Sequence, residues 1–428
     1  MTAQWRIGVA GLGTVGGGLI GLVAANPAFS PTGSVCVVTG VCARSGTAER
    51  AVDISPYRWF DDPVALARSA DNDVFVELIG GADGSAKAAV EAALRAGKPV
   101  VTANKALIAT HGAALAALAE DNGAPLLFEA AVMGGTPAVK MLREAMVGDE
   151  VESVAGILNG TCNYILTQME ATGRGFAAVL AEAQALGYAE SDPTMDVGGF
   201  DAAHKITILA ALAFGCAPTL SGATIEGVES IELLDLRLAR DLGYRIKLVA
   251  SAQRSAAGIS MQVQPTLVAL DHPLAGVDGV LNALFIQGRR IGRLFIQGAG
   301  AGAGPTAAAV AADIADVMAG GSRPVFRTPA SSLRPFLPVS PADAVGRVFV
   351  RLLVRDEPGV IASISETLAN AGVSIDSFLQ KPVEGAGGVP IVLTTHLAPM
   401  ATITKALGAM AALPALIVPA RVIQIARI

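Results

Sequence analysis

The chain has 428 residues, 52% of them hydrophobic and 16% charged, with a formal net charge of -6. At roughly 150 residues per domain this length predicts about three domains, and the composition excludes a disordered chain. The charge is spread without a Lys/Arg block, which argues against nucleic acid, since neutralising phosphate needs a clustered basic surface, and leaves a small molecule as the expected partner.

Residues 1–9 reach a strand pattern at once and leave no room for a signal peptide, so a cytoplasmic protein is expected. The apolar run 5–10 enters Gly11-Leu12-Gly13-Thr14-Val15-Gly16 and then a helix-compatible stretch over 17–25, the strand, turn, helix order of a mononucleotide-binding unit. A second strand is predicted over 35–42. Residues 74–79 form a continuous apolar run typical of a parallel strand buried on both faces, followed by Gly80-Gly81. A helix is predicted over 85–96, with Ser85 as its cap and Gly97 left-handed after its last turn, before a strand over 100–102. This alternation predicts an α/β, Rossmann-type dinucleotide-binding domain over 1–133.

Longer helical patterns then appear, notably 176–186 and 201–214, separated by Gly134-Gly135 and Gly198-Gly199. They predict an α+β catalytic and dimerisation domain over 134–304, with a helix over 305–321 returning to the first domain. Apolar patches between Val151 and Ile165 are the expected dimer surface of a homo-oligomer, dimer or tetramer. Pro324, Pro329, Pro335, Pro338 and Pro341 predict an extended, unpacked linker over 322–345. Beyond it, strands over 348–354, 374–380, 391–396 and 420–426 and helices over 361–371 and 402–413 give the order βαββαβ, a ferredoxin-like module over 346–428. The most apolar stretch there, 406–418, is broken by Pro414 and falls short of the about 18 residues of a membrane span, so no membrane is expected. Cys36, Cys42, Cys162 and Cys216 lack the spacing of a disulfide framework or a zinc site.

Gly11, Gly13 and Gly16 satisfy GxGxxG in the required context: a tight turn, a close backbone approach to pyrophosphate, and close helix packing, with Thr14 and Val15 opening the helix. No acidic residue stands near the end of the second strand to accept a ribose hydroxyl. Arg44 stands there instead and favours a 2′-phosphate, hence NADP over NAD, although a solvated loop arginine would read the same way. Lys105 follows the strand 100–102 at the carboxyl edge of the sheet, where ligands bind, although most such lysines are simply solvated. The loop from Gly187 carries Glu190, Asp192 and Asp196, and the next helix carries Asp201 and Lys205 one turn apart on one face. An ordinary salt bridge worth about 0.3–0.5 kcal/mol is the plain alternative. An amino-acid aldehyde, however, needs carboxylates for its ammonium and a proton donor at its carbonyl, and this segment offers both. His204, turned about 100° from Lys205, is expected to pack. The turn from Glu129 to Pro137 offers carbonyls to a hard monovalent cation, or is a helix entry with a solvated glutamate.

The sequence resembles the homoserine dehydrogenases along nearly its whole length. The resemblance rests on GLGTVGGG (11–18), VTANKALIA (101–109), FEAAVMGGTP (128–137), NGTCNYIL (159–166), AEAQALGYAESDPTMDVGGFDAAHK (181–205) and GAGPTA (302–307). It implies NAD(P)H-dependent reduction of L-aspartate 4-semialdehyde to L-homoserine, toward threonine, methionine and isoleucine. It further implies that Lys205 donates the proton, that Lys105 positions substrate beside the nicotinamide, and that Glu190, Asp201, Asp196 and Gly187 bind substrate. Glu129, Val132, Gly134 and Thr136 match that family's sodium site, where carbonyls and one carboxylate bind the ion, and Gly302 lies at a second cofactor-facing turn. Residues 355–360 and 370–375 resemble an ACT domain, which implies L-threonine as a feedback inhibitor. Three positions depart from the family: Cys162 for threonine, Gly199 for a carboxylate, and Arg44 without an acidic follower. The rival readings are a dehydrogenase of a related amino-acid aldehyde and a catalytically silent nucleotide-binding amino-acid sensor.

Overall fold

The computed structural model describes residues 3–321, 323–340, 342, 344–381 and 387–428. Met1, and Ser322 and Pro341 of the expected linker, lie outside the described residues. The chain opens with β1 (Gln4–Ala10), α1 (Thr14–Ala25), β2 (Val35–Cys42), β3 (Arg58–Phe60), α2 (Pro63–Arg68), β4 (Val74–Glu77), α3 (Ser85–Arg95), β5 (Val100–Thr102), α4 (Lys105–Asp121) and β6 (Leu126–Leu127). The six strands form one parallel sheet in the order β3-β2-β1-β4-β5-β6. The order reverses between β1 and β4, so their carboxyl ends open on the crevice in which such sheets bind ligands. Strand β4 stops before the end of its apolar run because the buried Glu77 carboxylate accepts the N–H groups of Ile79 and Gly80 and the Thr102 hydroxyl. Helix α3 is entered through Gly84, at φ 76°, with Ser85 its first helical residue rather than its cap. Gly97 is left-handed, as expected, at φ 70°.

The middle of the chain adds α5 (Ala138–Lys140), β7 (Val151–Ile157), α6 (Gly160–Thr172), α7 (Phe176–Ala185), α8 (Thr194–Val197), α9 (Phe200–Phe214), β8 (Thr224–Ile225), α10 (Leu233–Asp241), β9 (Tyr244–Ser255), β10 (Gly258–Ala269), β11 (Leu281–Gly288), β12 (Gly292–Ala299) and α11 (Ala303–Met318). Helix α9 is apolar almost all round and buried from Asp201 to Phe214 except at His204, so charged groups in its first turns need protein partners. Helix α11 begins at Ala303 and ends at Met318, a shifted version of the expected 305–321, and packs on α1, where a Cβ on Gly18 would meet the Ala303 carbonyl at 2.8 Å. The expected dimer surface at 151–165 is corrected: β7 lies between β11 and β9, and Val151, Val154, Ala155, Ile157 and Ile165 are buried within their own chain.

The C-terminal part comprises β13 (Val345–Val354), α12 (Val360–Asn370), β14 (Ile375–Gln380), β15 (Val389–Thr395), β16 (Ala398–Pro399), α13 (Met400–Met410) and β17 (Arg421–Ile425). Its main strands run β17-β13-β15-β14, and β17 also pairs in parallel with β10, setting Thr266 opposite Gln424 and Leu267 opposite Ile425. One sheet therefore runs from β12 to β14 through both modules. Arg351 on β13 donates to Asp235 at 2.7 Å and to Glu232 at 2.9 Å at the start of α10, and Arg421 donates to Ser230 at 2.7 Å. The linker is extended but not unpacked: Val325 and Phe326 are buried, and the Phe326 ring lies 5.5 Å from that of Phe128. Arg334 and Val339 continue the docking through backbone bonds to Gly215 and Ile259. Among the described residues, no helix is long and apolar enough to cross a membrane.

Asp235 is fully buried and Arg351 nearly so. Removing one partner of such a pair strands the other charge, so Arg351→Ala should destabilise the protein by about 3–5 kcal/mol. Urea unfolding measures this, and a loss below about 1 kcal/mol would contradict the account.

Candidate active site

Lys105 enters the site because Asn104 caps α4 at the carboxyl edge of the parallel sheet, its side chain accepting the N–H of Leu107 at 3.0 Å. Asp201 and Lys205 enter it from the first turns of α9. Lys105 Nζ lies 3.0 Å from Asp201 Oδ1, and Lys205 Nζ donates to Asp201 Oδ2 at 2.8 Å and to the carbonyl of Leu158 at 2.7 Å. The i,i+4 pair is thus buried rather than a surface salt bridge, and the half-exposed Lys105 closes it from the crevice side. Burial pushes the Asp201 carboxyl up, but the charges of Lys205 and Lys105 win and hold it well below the usual range. Asp201 in turn raises the Lys105 ammonium, against burial.

Asp196 joins the cluster through Asn159, whose amide donates to Asp196 Oδ1 at 2.7 Å and to Asp201 Oδ2 at 2.9 Å. Burial first, and then the Asp201 charge, raise the Asp196 carboxyl. The Thr161 hydroxyl donates to the carbonyl of Tyr188 at 2.7 Å, tying α6 to the loop after α7. Glu190 and Gly187 lie on that loop and are exposed, with Gly187 at φ 74°; Glu190 is close enough for its charge to raise Lys105, but its carboxylate takes no part in the hydrogen-bonded cluster. His204 packs beside Lys105, its imidazole lowered first by burial and then by that charge.

At the nucleotide end, Gly11 sits at φ 99° with no room for a Cβ, which would lie 2.3 Å from the Leu78 carbonyl oxygen, and a Cβ on Gly16 would lie 2.0 Å from the Gly11 carbonyl oxygen. A Cβ on Gly13 would meet nothing within 4 Å. Gly13 caps α1 without a side-chain bond, leaving the N–H groups of Thr14 and Val15 available to an anion. Arg44 is exposed two residues beyond β2 and in no ion pair among the described residues. The glycine turn and the free N–H groups fit the pyrophosphate of a dinucleotide. Gly302, at φ 110°, caps α11 next to α1.

The 129–136 turn needs one revision. The Glu129 carboxylate accepts the N–H groups of Val139 at 3.0 Å and Lys140 at 2.7 Å, so the ion-facing carboxylate expected there is already engaged. Burial and then the neighbouring Asp313 push its carboxyl up to about 7. The carbonyls of the buried Val132 and Gly134 accept no hydrogen bond from the described residues, and Met133 between them holds φ 57°, a conformation side chains rarely adopt. A carbonyl donor set of this kind suits a hard monovalent cation.

Comparison with known proteins places this geometry. The family model for homoserine dehydrogenase matches residues 137–315, that for the homoserine dehydrogenase NAD-binding domain matches 11–129, and that for the ACT domain matches 348–412. Homoserine dehydrogenases of Pseudomonas aeruginosa and Neisseria gonorrhoeae are 41% and 42% identical to the chain over 419 and 417 residues, covering 95% of each partner. The chain belongs to the homoserine dehydrogenase family. A homoserine dehydrogenase crystal structure from Thiobacillus denitrificans superposes with a TM-score of 0.92 at 36% identity, over 100% of this chain and 99% of that one. A hyperthermophilic archaeal homoserine dehydrogenase in complex with NADPH matches 75% of this chain and 99% of its own, with a TM-score of 0.65 at 28% identity. The dehydrogenase is therefore an oxidoreductase with a Rossmann-type NAD-binding domain, a catalytic domain and an ACT domain.

Sequence reasoning missed Asn159, Thr161 and the Leu158 carbonyl as parts of the site. An asparagine between an apolar strand and Gly160-Thr161 is a helix-cap signature, and Asn159 does cap α6 by accepting the Cys162 N–H at 2.8 Å. Its second task depends on residues up to 42 positions away.

The two glycines of the dehydrogenase's nucleotide turn should separate under substitution. Gly16→Ala forces a methyl into backbone and should destabilise the fold by about 1–3 kcal/mol. Gly13→Ala should leave thermal stability unchanged and weaken NADPH binding at least tenfold, read by calorimetry. Equal loss of stability in both would contradict the distinction.

Proposed function

We propose that the enzyme reduces L-aspartate 4-semialdehyde to L-homoserine, with NADPH preferred over NADH, on the route to threonine, methionine and isoleucine in the cytoplasm. The observation that carries this reading is the Asp201 carboxylate held between Lys105 and Lys205 beside the carboxyl edge of the nucleotide-binding sheet. When bound, the nicotinamide supplies the hydride; the residues position and protonate. Two of the three Lys205 N–H donors are committed to Leu158 and Asp201, leaving one for the aldehyde oxygen. Lys105, on the other oxygen of the same carboxylate, is placed to orient the aldehyde oxygen beside the nucleotide-binding sheet. Asp196 and Glu190 accept the substrate ammonium, the Gly187 turn shapes their loop, and Asp201 orients both lysines.

Thr14 and Val15, at the turn of Gly11, Gly13 and Gly16, would hold the pyrophosphate, Arg44 the 2′-phosphate, and Gly302 would bring α11 close to the cofactor. Glu129, Val132, Gly134 and Thr136 would hold a structural sodium ion, with the carbonyls of Val132 and Gly134, free among the described residues, as its first donors. We further propose functional units at 1–133 with 305–321, 134–304 and 346–428, joined by 322–345. L-threonine is the proposed effector, supported by the ACT match and by a cavity of about 200 Å³ lined by Leu352, Val354, Gly359, Ser363 and Met410. A homo-oligomer is supported by β12, an eight-residue edge strand with no outer partner among the described residues.

Homoserine-dependent reduction of NADP, with NAD in parallel and L-threonine titrated in, tests the whole reading. Turnover favouring NADP and suppressed by threonine is expected; turnover without suppression would remove the effector, and no turnover would remove the reaction. Lys205→Ala should lower kcat by about 10²–10⁴-fold with a much smaller change in KM, as expected for a group acting in the transition state. An unchanged kcat would remove Lys205 as the donor.

A further inference from the structure

The two carboxylates of the substrate loop and α9 approach the same buried side chain, and that side chain is not itself ionisable. Asn159 is 4% exposed, so water does not replace its contacts. Its carbonyl oxygen is committed to the Cys162 N–H at 2.8 Å, as the cap of α6. That bond fixes which way the amide faces. Its two N–H protons then meet two different carboxylates, Asp196 Oδ1 at 2.7 Å and Asp201 Oδ2 at 2.9 Å. The opposite orientation would set an amide oxygen against both anions and lose the cap.

We propose that Asn159 is a positioning residue of the dehydrogenase, its amide bridging Asp196 and Asp201 and fixing the Asp196 carboxylate for the substrate's ammonium group. The inference rests on the reading that Asp196 takes part in holding that ammonium. Three observations support the bridge. Asp201 is paired with two ammonium groups, Lys105 and Lys205, and the Asn159 bond is the smaller part of what keeps it ionised. Asp196 makes no direct ion pair among the described residues; its other oxygen lies 3.3 Å from the Thr161 hydroxyl, whose proton is directed mainly at the Tyr188 carbonyl. Burial and the Asp201 charge both favour its neutral form, and the Asn159 bond opposes them together with the more distant charges of Lys205 on α9 and Lys105 on α4. The buried Cys162 thiol, which donates to the Asp196 backbone carbonyl at 3.1 Å, also faces this cluster and lies within the charges of Asp196, Asp201, Glu229 and Lys205. Without the bridge, Asp196 both loses its orientation and takes up a proton at higher pH.

Asn159→Ser separates the two tasks, because serine caps a helix about as well as asparagine but cannot span two carboxylates. In this variant the KM for homoserine should rise about tenfold or more, the size expected for losing a hydrogen bond to a charged group, while the KM for NADP stays unchanged. The acidic limb of kcat/KM for homoserine should move up by about one pH unit. Asp196→Asn is measured beside it, and the double variant should be no worse than Asp196→Asn alone, since Asn159 acts through that carboxylate. If Asn159→Ser does not fold, Asn159→Thr, which also caps a helix and is too short to span the two carboxylates, is read in the same way. Wild-type KM and an unmoved limb would overturn the bridge, as would fully additive losses in the double variant. If Asp196→Asn alone leaves the homoserine KM unchanged, the assignment of Asp196 falls and the bridge with it; a raised KM there with a silent Asn159→Ser defeats the bridge only.

Discussion

A carboxylate fully buried in the first turn of a core helix is untenable without partners, and the centre of this enzyme is built around meeting that requirement for Asp201. Three groups meet it: Lys105 at the start of α4, Lys205 one turn along α9, and Asn159 at the junction of β7 and α6. They come from different parts of the chain. Lys105 belongs to the parallel-sheet half and the others to the catalytic half, so one anion joins the two halves at the mouth of the crevice. The same contacts that satisfy the buried charge therefore set where a substrate meets the nucleotide, and an ion pair costly to bury becomes a means of alignment.

The C-terminal module is joined by more than a tether. Strand β17 extends the catalytic sheet, and Arg351 and Arg421 grip the segment leading into α10. That segment is bonded to the substrate loop: the Val228 N–H donates to the Val197 carbonyl at 2.9 Å, and Gly227 has no room for a Cβ, which would lie 2.2 Å from the same oxygen. Val197 follows Asp196. A short run of chain thus lies between the arginines of the ACT module and a carboxylate of the site.

Periodic features were legible in the sequence. The bounds of β2, the helical reading of α9, the nucleotide turn and the βαββαβ order all rest on local spacing, and local spacing survives folding. What could not be read depends on partners far away in the chain. Glu77 ends an apparently apolar strand because Thr102 and a backbone turn satisfy it. Lys247, inside β9, is buried with its ammonium pushed down to about 8, chiefly by burial, and donates to Asn163 and to the carbonyl of Val277. The proline-rich linker looked solvated because prolines mark extended backbone but say nothing of what it lies against. Phe326 decided that question by filling the space beside Gly112 and Phe128.

The 129–136 turn shows how unfavourable backbone geometry is retained for position. Met133 holds a left-handed conformation, and the turn persists because its surroundings leave it no alternative. A Cβ on Gly134 would meet the Gly300 backbone at 2.8 Å, and one on Gly135 would meet Pro305 at 2.7 Å. Asp313 of α11 accepts the Glu129 N–H at 2.8 Å, while the Glu129 carboxylate holds the start of α5. Turn, Gly302 loop and α11 are therefore packed as one body, and α11 lies against the nucleotide-binding α1. A displacement of the turn would have to move the Gly302 loop against α1. Its strained backbone is thus held in place by the same packing that fixes the cofactor-facing loop.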